Sequence, residues 1–268
     1  TGFKTCDFDE AVAEGKIEII GHETDELFLE NVMTQAIDKE VVKEVADDLR
    51  IVYTPFHGCG YKLVPEALRR LGIKHLYPVE QQMVIDGRFP TVESPNPENP
   101  EGFYLAVDLA KRVNSDLIIG TDPDSDRIGT MVRGADGEYS VITGNQLGCL
   151  LLDYILGTMQ KAGTLPADPV AVRSIVSTPM ADKIAASYGV KMRRVLTGFK
   201  YIGGEILALE QKHEENRFVF GFEESCGYLK GTYARDKDAV VASMLTCDLA
   251  AALKREGTNL AEHMDALY

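Results

Sequence analysis

The spacing of hydrophobic positions changes along the chain, and the changes outline its elements. From Asp25 to Leu49 apolar residues recur at Leu27, Val32, Ile37, Val41, Val45 and Leu49, which predicts helix after a polar lead-in over residues 1–20 that ends in Ile17-Glu18-Ile19-Ile20. The short apolar run Ile51-Val52-Tyr53 then reads as a strand. It stops at Thr54-Pro55, crosses the glycine-rich His57-Gly58-Cys59-Gly60 and enters an amphipathic stretch from Val64 to Leu71. Gly72 suits a left-handed helix cap, and Ile73 to Tyr77 resumes as a strand, so the unit is βαβ.

A similar cycle returns later. Val170 to Val176 reads as a strand, Thr178-Pro179 as N-cap and first helical residue, Met180 to Tyr188 as a helix capped by Gly189, and Val190 to Val195 as the next strand. Two copies of one α/β plan are expected, the first with a longer loop after its proline. Between them, Pro90 to Pro100 holds four prolines and reads as an extended loop that cannot join a central strand. Helix is expected from Gly102 to Val113, a buried strand over Asp116–Gly120, and a hairpin of Thr130–Arg133 with Tyr139–Ile142. Gly144-Asn145 opens an apolar helix from Leu147 to Leu156, Phe218–Phe222 is a strand feeding Glu223-Glu224-Ser225-Cys226-Gly227, and Asp236 to Lys254 is a long helix. This alternation predicts α/β layers, with a domain boundary near Thr143.

Composition narrows the function classes. A chain of 268 residues with 45% hydrophobic and 26% charged positions folds as a globular protein, and its length suits two domains. The net charge of −14 repels phosphate backbones and anionic lipid, so neither nucleic acid nor membrane surface is an expected partner. No apolar run reaches the ~18 residues of a membrane span. Five widely spaced cysteines without a CxxC pair fit reduced thiols and a cytoplasmic location. The start at Thr1 reads as that of an excised piece of a longer chain or a processed product.

The richest chemistry follows the Asp116–Gly120 strand, in Asp122-Pro123-Asp124-Ser125-Asp126-Arg127. Three carboxylates at alternate positions can converge on one hard cation, and their repulsion is costly without one. The loop also lies at the carboxyl end of a strand, where open α/β sheets bind ligands. An EF-hand starting at Asp122 would need Gly and Glu where Arg127 and Arg133 stand, so that reading fails. A phosphatase of the haloacid dehalogenase type fits poorly, since the residues after either Asp-x-Asp lack its small glycine. Arg127 adds a fixed cation suited to phosphoryl oxygens.

This loop resembles the magnesium loop of the α-D-phosphohexomutases, the phosphoglucomutases and phosphomannomutases. Four further stretches agree in order: Thr54-Pro55-Phe56-His57-Gly58, Phe89-Pro90 with Pro95-Asn96-Pro97-Glu98, Thr197-Gly198-Phe199-Lys200, and Gly221-Phe222-Glu223-Glu224-Ser225 followed by Arg235-Asp236-Lys237-Asp238. The resemblance spans nearly the whole chain and implies the second and third of the family's four domains, each a mixed β-sheet packed by helices. Residues 1–20 would then lead in from the missing first domain, 21–143 form the metal-binding domain and 144–268 the sugar-binding domain.

The resemblance implies a phosphoryl transfer between the 1- and 6-positions of glucose or mannose phosphate, through glucose 1,6-bisphosphate. The enzyme phosphoserine would come from the first domain and a phosphate-binding loop from the fourth, so this piece alone would be inactive. Asp122, Asp124 and Asp126 would hold Mg²⁺, and Arg127 would brace the transferring group. Glu223 and Ser225 would grip sugar hydroxyls, while Thr197, Gly198, Lys200 and Lys237 would contact substrate. Taken alone, Glu223-Glu224 reads as a surface pair after a strand, with Glu224 turned away from its neighbour. His57 reads as a structural loop residue and Cys226 as a packing residue. The alternatives are a noncatalytic module that binds a cation or a sugar phosphate, and a magnesium-dependent phosphatase.

Overall fold

Nineteen helices and strands, joined by short 3₁₀ turns, appear in the computed structural model, which describes residues 2–268. The first half contains α1 (Phe8–Ala13), α2 (His22–Thr34), α3 (Lys39–Glu44), β1 (Arg50–Thr54), α4 (Gly60–Leu71), β2 (His75–Pro78), α5 (Tyr104–Val113), β3 (Leu117–Thr121), β4 (Ile128–Arg133) and β5 (Tyr139–Ile142). The second half contains α6 (Gly144–Lys161), β6 (Val170–Ser174), α7 (Met180–Ser187), β7 (Lys191–Val195), α8 (Phe199–Glu210), β8 (Phe218–Glu223), β9 (Gly227–Leu229), α9 (Ala239–Arg255) and α10 (Leu260–Leu267).

The two sheets repeat one plan. The first has the order β2-β1-β3-β4-β5 and the second β7-β6-β8-β9. In each, the first three strands are parallel and the fourth turns antiparallel; β5 extends the first sheet by one more antiparallel strand. The expected mixed sheets packed by helices are therefore present, and the resemblance between the two proline-led cycles reflects a shared topology.

Alternation along the strands decides which side chains enter which core. Ile51, Tyr53, Leu117 and Ile119 face a large cluster that continues into the second sheet, while Val52 and Ile118 join Phe56, Phe103 and Ala106 on the other face. The join between the halves is α9. Every residue from Ala239 to Leu253 is buried, because the helix packs on α3, α4, α6 and β9 at once. A helix enclosed on all sides needs the small and apolar residues that this segment supplies.

Three local expectations shift. The helical pattern from Asp25 to Leu49 is broken after Thr34, since Asp38 caps α3 by accepting from the amides of Glu40 and Val41, and the amides of Ile37 and Asp38 donate to buried Asp248 of α9. Carboxylates thus take the amides that a continuous helix would use. The second-cycle helix has Pro179 as its cap residue, although the Thr178 hydroxyl still accepts from the Met180 amide. The long helix starts at Ala239, with Asp238 as its cap.

Candidate active site

Backbone geometry explains how the acidic loop is held. Ser125 sits at φ 58°, and its amide donates to the Asp122 carbonyl, so the chain reverses between the first and last aspartates. Pro123 is clamped from below: its carbonyl accepts from the Cys59 amide, and a Cβ at Gly58 would lie 2.3 Å from the Pro123 Cα. The glycine of the first βα loop is thus required by close approach.

The reversal brings the three aspartates together, with one carboxylate oxygen of each within 4.8 Å of the others. Asp122 is buried, Asp126 half-buried and Asp124 exposed. Asp122 is the anchor: its Oδ1 accepts from the amides of Asp126 and Arg127 at 3.0 Å each, and its Oδ2 from Arg127 Nε at 2.8 Å. Three oxygen donors converging from a loop suit a hard divalent cation such as Mg²⁺. The nearby cations leave this anionic cluster undercompensated: Lys237 Nζ stands 2.7 Å from Asp126 Oδ2, and Arg127 is shared with Glu98.

Arg127 is more tightly held than its sequence suggests. Besides Asp122, its guanidinium donates to Glu98 Oε1 at 3.1 Å and Asn96 Oδ1 at 3.3 Å. Burial opposes its charge, but Asp122, Glu98 and Asp126 outweigh that and raise its pKa. Asn96 and Glu98 stood out in sequence as part of a matching proline-rich stretch with no role assigned; their contact with Arg127 spans about thirty residues and has no local signal.

The second loop has opposite character. Glu223 is buried at the end of β8, and its Oε1 accepts from the Gly198 amide at 2.6 Å. Burial raises its pKa, with the Gly198 amide working against the shift. Gly198 adopts φ 118°, a conformation open to glycine, and it starts α8 from Thr197-Gly198-Phe199-Lys200. Thr197 and Lys200 are exposed, and Lys200 Nζ lies 5.1 Å above the Tyr201 ring. Ser225 is half-buried beside Cys226, whose thiol is pushed up to about 12 by burial, as suits a packing residue. His57 is buried as a loop support, its ring bonded to the Val84 carbonyl and the Thr91 hydroxyl.

These loops meet directly. Arg127 pairs with Gly227 as an antiparallel bridge, and the Ile128 amide donates to the Cys226 carbonyl at 3.1 Å. The Ala239 amide donates to the Ser125 carbonyl at 3.1 Å, tying the start of α9 to the acidic loop. Lys237, expected among the substrate contacts, therefore stands at the acidic loop, in a groove of about 500 Å³ lined by Cys59, Asp124, Asp126 and Arg235 among others. Burial again opposes its charge, while Asp126 and Asp236 raise its pKa.

The two sites thus belong to a class of tandem α/β units in which an acidic loop of the first unit and a buried-glutamate loop of the second meet, here where Arg127 pairs with Gly227. Sequence comparison gives the family: residues 26–136 match the phosphoglucomutase/phosphomannomutase alpha/beta/alpha domain II and residues 143–268 match domain III, and the chain belongs to this family. It is 39% identical over 218 residues to a phosphoglucomutase of Staphylococcus epidermidis, covering 81% of this chain and 39% of that protein. It is 37% identical over 259 residues to a probable phosphomannomutase of Haemophilus influenzae, covering 95% of this chain and 50% of that protein. The chain thus spans half or less of the length of these relatives. In fold it is similar to a putative phosphomannomutase from Thermus thermophilus, with a TM-score of 0.72 at 20% identity over 91% of this chain and 50% of that one. It is also similar to Aspergillus fumigatus N-acetylphosphoglucosamine mutase in complex with GlcNAc-6P and magnesium, with a TM-score of 0.57 at 14% identity over 88% of this chain and 49% of that one.

Proposed function

We propose that this chain is the cation- and sugar-recognising part of a phosphohexomutase that moves a phosphoryl group between the 1- and 6-positions of glucose or mannose phosphate. The observation that carries the reading is the junction of the two loops, where Arg127 pairs with Gly227 beside the three clustered aspartates. A cation there and a sugar held by Glu223 would lie in one cleft.

Asp122, Asp124 and Asp126 would hold Mg²⁺, which when bound draws charge from a transferring phosphoryl group. Arg127 orients Asp122 through the bond from its Nε, and its remaining role would be to face phosphoryl oxygens. Glu223 and Ser225 would accept and donate hydrogen bonds to sugar hydroxyls, and Lys200 and Lys237 would supply positive charge for the sugar phosphate. The phosphoserine and the fourth domain's phosphate-binding loop would lie outside residues 1–268, in keeping with relatives of which the chain spans half or less. The boundaries 21–143 and 144–268 are proposed as the cation and sugar domains. Five free cysteines accord with a cytoplasmic location, and among the described residues no helix is long and apolar enough to cross a membrane.

The test is an assay of the 268-residue chain with glucose 1-phosphate, glucose 1,6-bisphosphate and Mg²⁺, beside calorimetric titration of each. Binding of Mg²⁺ and of sugar phosphate without interconversion is expected. Absence of both binding events would sink the proposal, and release of inorganic phosphate by the chain would favour the phosphatase instead.

A further inference from the structure

We propose that Arg173 is a positioning residue for the sugar loop, acting through Ser174, Ser177 and Glu224; this rests on the reading of Glu223 and Ser225 as the sugar grip. Arg173 lies on β6 with its guanidinium almost wholly buried, one edge held by α7 and the other turned to the two serines that reach the sugar loop. Its Nε and one terminal nitrogen donate to the two oxygens of Asp182 on α7, at 2.7 and 2.9 Å. Its other terminal nitrogen donates to the carbonyls of Ser174 and Ser177, both at 2.9 Å. The β6–α7 turn is therefore wrapped around one planar cation, which holds donors in a fixed fork that an ammonium cannot reproduce.

The same two serines reach the sugar loop. Ser174 Oγ donates to Glu224 Oε2 at 2.7 Å and Ser177 Oγ to the same oxygen at 3.1 Å, while the two hydroxyls lie 2.8 Å apart. On the other side, the Glu224 carbonyl backs against Gly144, where a Cβ would come within 2.0 Å. Glu224 is thus fixed at its side chain and its backbone, and a strand end sends neighbouring side chains to opposite faces. Holding Glu224 fixes the direction of Glu223, whose carboxylate meets the Gly198 amide. The second glutamate is the handle by which the scaffold aims the first.

The Gly198 amide reports this aim without any ligand. In the ¹⁵N-labelled 268-residue chain, its proton should lie downfield and exchange slowly, because it donates to a carboxylate. In the Ser174→Ala/Ser177→Ala double variant and in Glu224→Ala, that proton should move upfield and exchange about tenfold faster, as expected when a hydrogen bond to a charged group is lost. Glu224→Gln, which keeps an acceptor for the serines, should restore most of the shift, and Arg173→Lys should resemble the double variant. Amides of Val172 and Phe220 serve as controls for the sheet. An unchanged Gly198 proton in the serine variant, with a clear shift in Glu223→Ala, would overturn the proposal, even if Arg173→Lys failed to fold. Titration of glucose 1-phosphate decides the sugar reading separately: a wild-type chain that binds none would remove that reading, while the Gly198 proton still decides whether Arg173 positions Glu223.

Discussion

The two α/β units share a strand order but treat charge in opposite ways. In the first, the loop after β3 gathers three carboxylates graded from buried Asp122 to exposed Asp124, with Arg127 and Lys237 paired to them. In the second, the loop after β8 buries one carboxylate, Glu223, against a backbone amide and uses its neighbour Glu224 as a tether to serines. One topology thus presents a partly exposed cluster of carboxylates in one unit and a buried, tethered carboxylate in the other, the two features on which the proposed cation and sugar roles rest. The lesson is that the strand ends fix where a loop projects, and the partners reached across the fold fix what it can bind.

The contrast breaks most severely at Asp122. Asp122→Asn removes the charge that Arg127 is built around, so about 3 kcal/mol of stability should be lost by urea denaturation, together with Mg²⁺ binding. Asp124→Asn, at the exposed end of the same cluster, should lose Mg²⁺ binding by calorimetry while leaving stability within about 0.5 kcal/mol. Equal stability losses would show that the aspartates are not divided into anchor and open ligand.

Next come the two glycines that seat the loops. Gly58→Ala would press on the backbone of Pro123 and Gly144→Ala on that of Glu224. Each should cost about 1–3 kcal/mol in thermal denaturation. The first should weaken Mg²⁺ binding more than sugar phosphate binding, and the second should do the reverse; matching losses in both would mean the junction couples the loops rigidly.

Glu223→Gln should have a smaller and opposite effect on stability. Burial raises the Glu223 pKa in the folded chain. Between its unfolded and folded pKa values the native state therefore binds more protons, and stability falls as pH rises through that window. The glutamine variant escapes this loss, so it should be more stable than wild type at pH 7 and indistinguishable from it at pH 3, where the wild-type Glu223 carboxyl is protonated in both the folded and the unfolded chain. Denaturation curves at the two pH values check the sign. The smallest effect is expected at exposed Lys200: Lys200→Ala should leave stability within about 0.5 kcal/mol, and should weaken glucose 1-phosphate binding most at low ionic strength.

Much of this was legible in the linear chain because it depends on short-range pattern. The uninterrupted apolar runs Ile51-Val52-Tyr53 and Leu117-Ile118-Ile119, the caps at Gly72 and Gly189 and the turn at Gly134–Gly137 all act within a few residues, and the strands and helices followed them. The spacing of Asp122, Asp124 and Asp126 likewise announced their convergence, since a tight loop brings alternate side chains together. The break at Gln35–Asp38 was hidden, because the carboxylate that stabilises it, Asp248, lies more than two hundred residues away. Glu224 was hidden for the same reason: a glutamate beside a glutamate looks solvated until Ser174 and Ser177 are brought to it.

The sequence by itself therefore determined the α/β class, the repeated plan and the acidic loop, all properties of residues close together in the chain. Tertiary structure alone decided that the two loops touch at Arg127 and Gly227, that Lys237 stands beside Asp126, and that Arg127 is held by Asn96 and Glu98. The first two contacts accompany the burial of α9 at the join of the two units, the third needs the proline-rich loop folded back over the acidic loop, and no periodicity encodes a distance between segments so far apart in the chain.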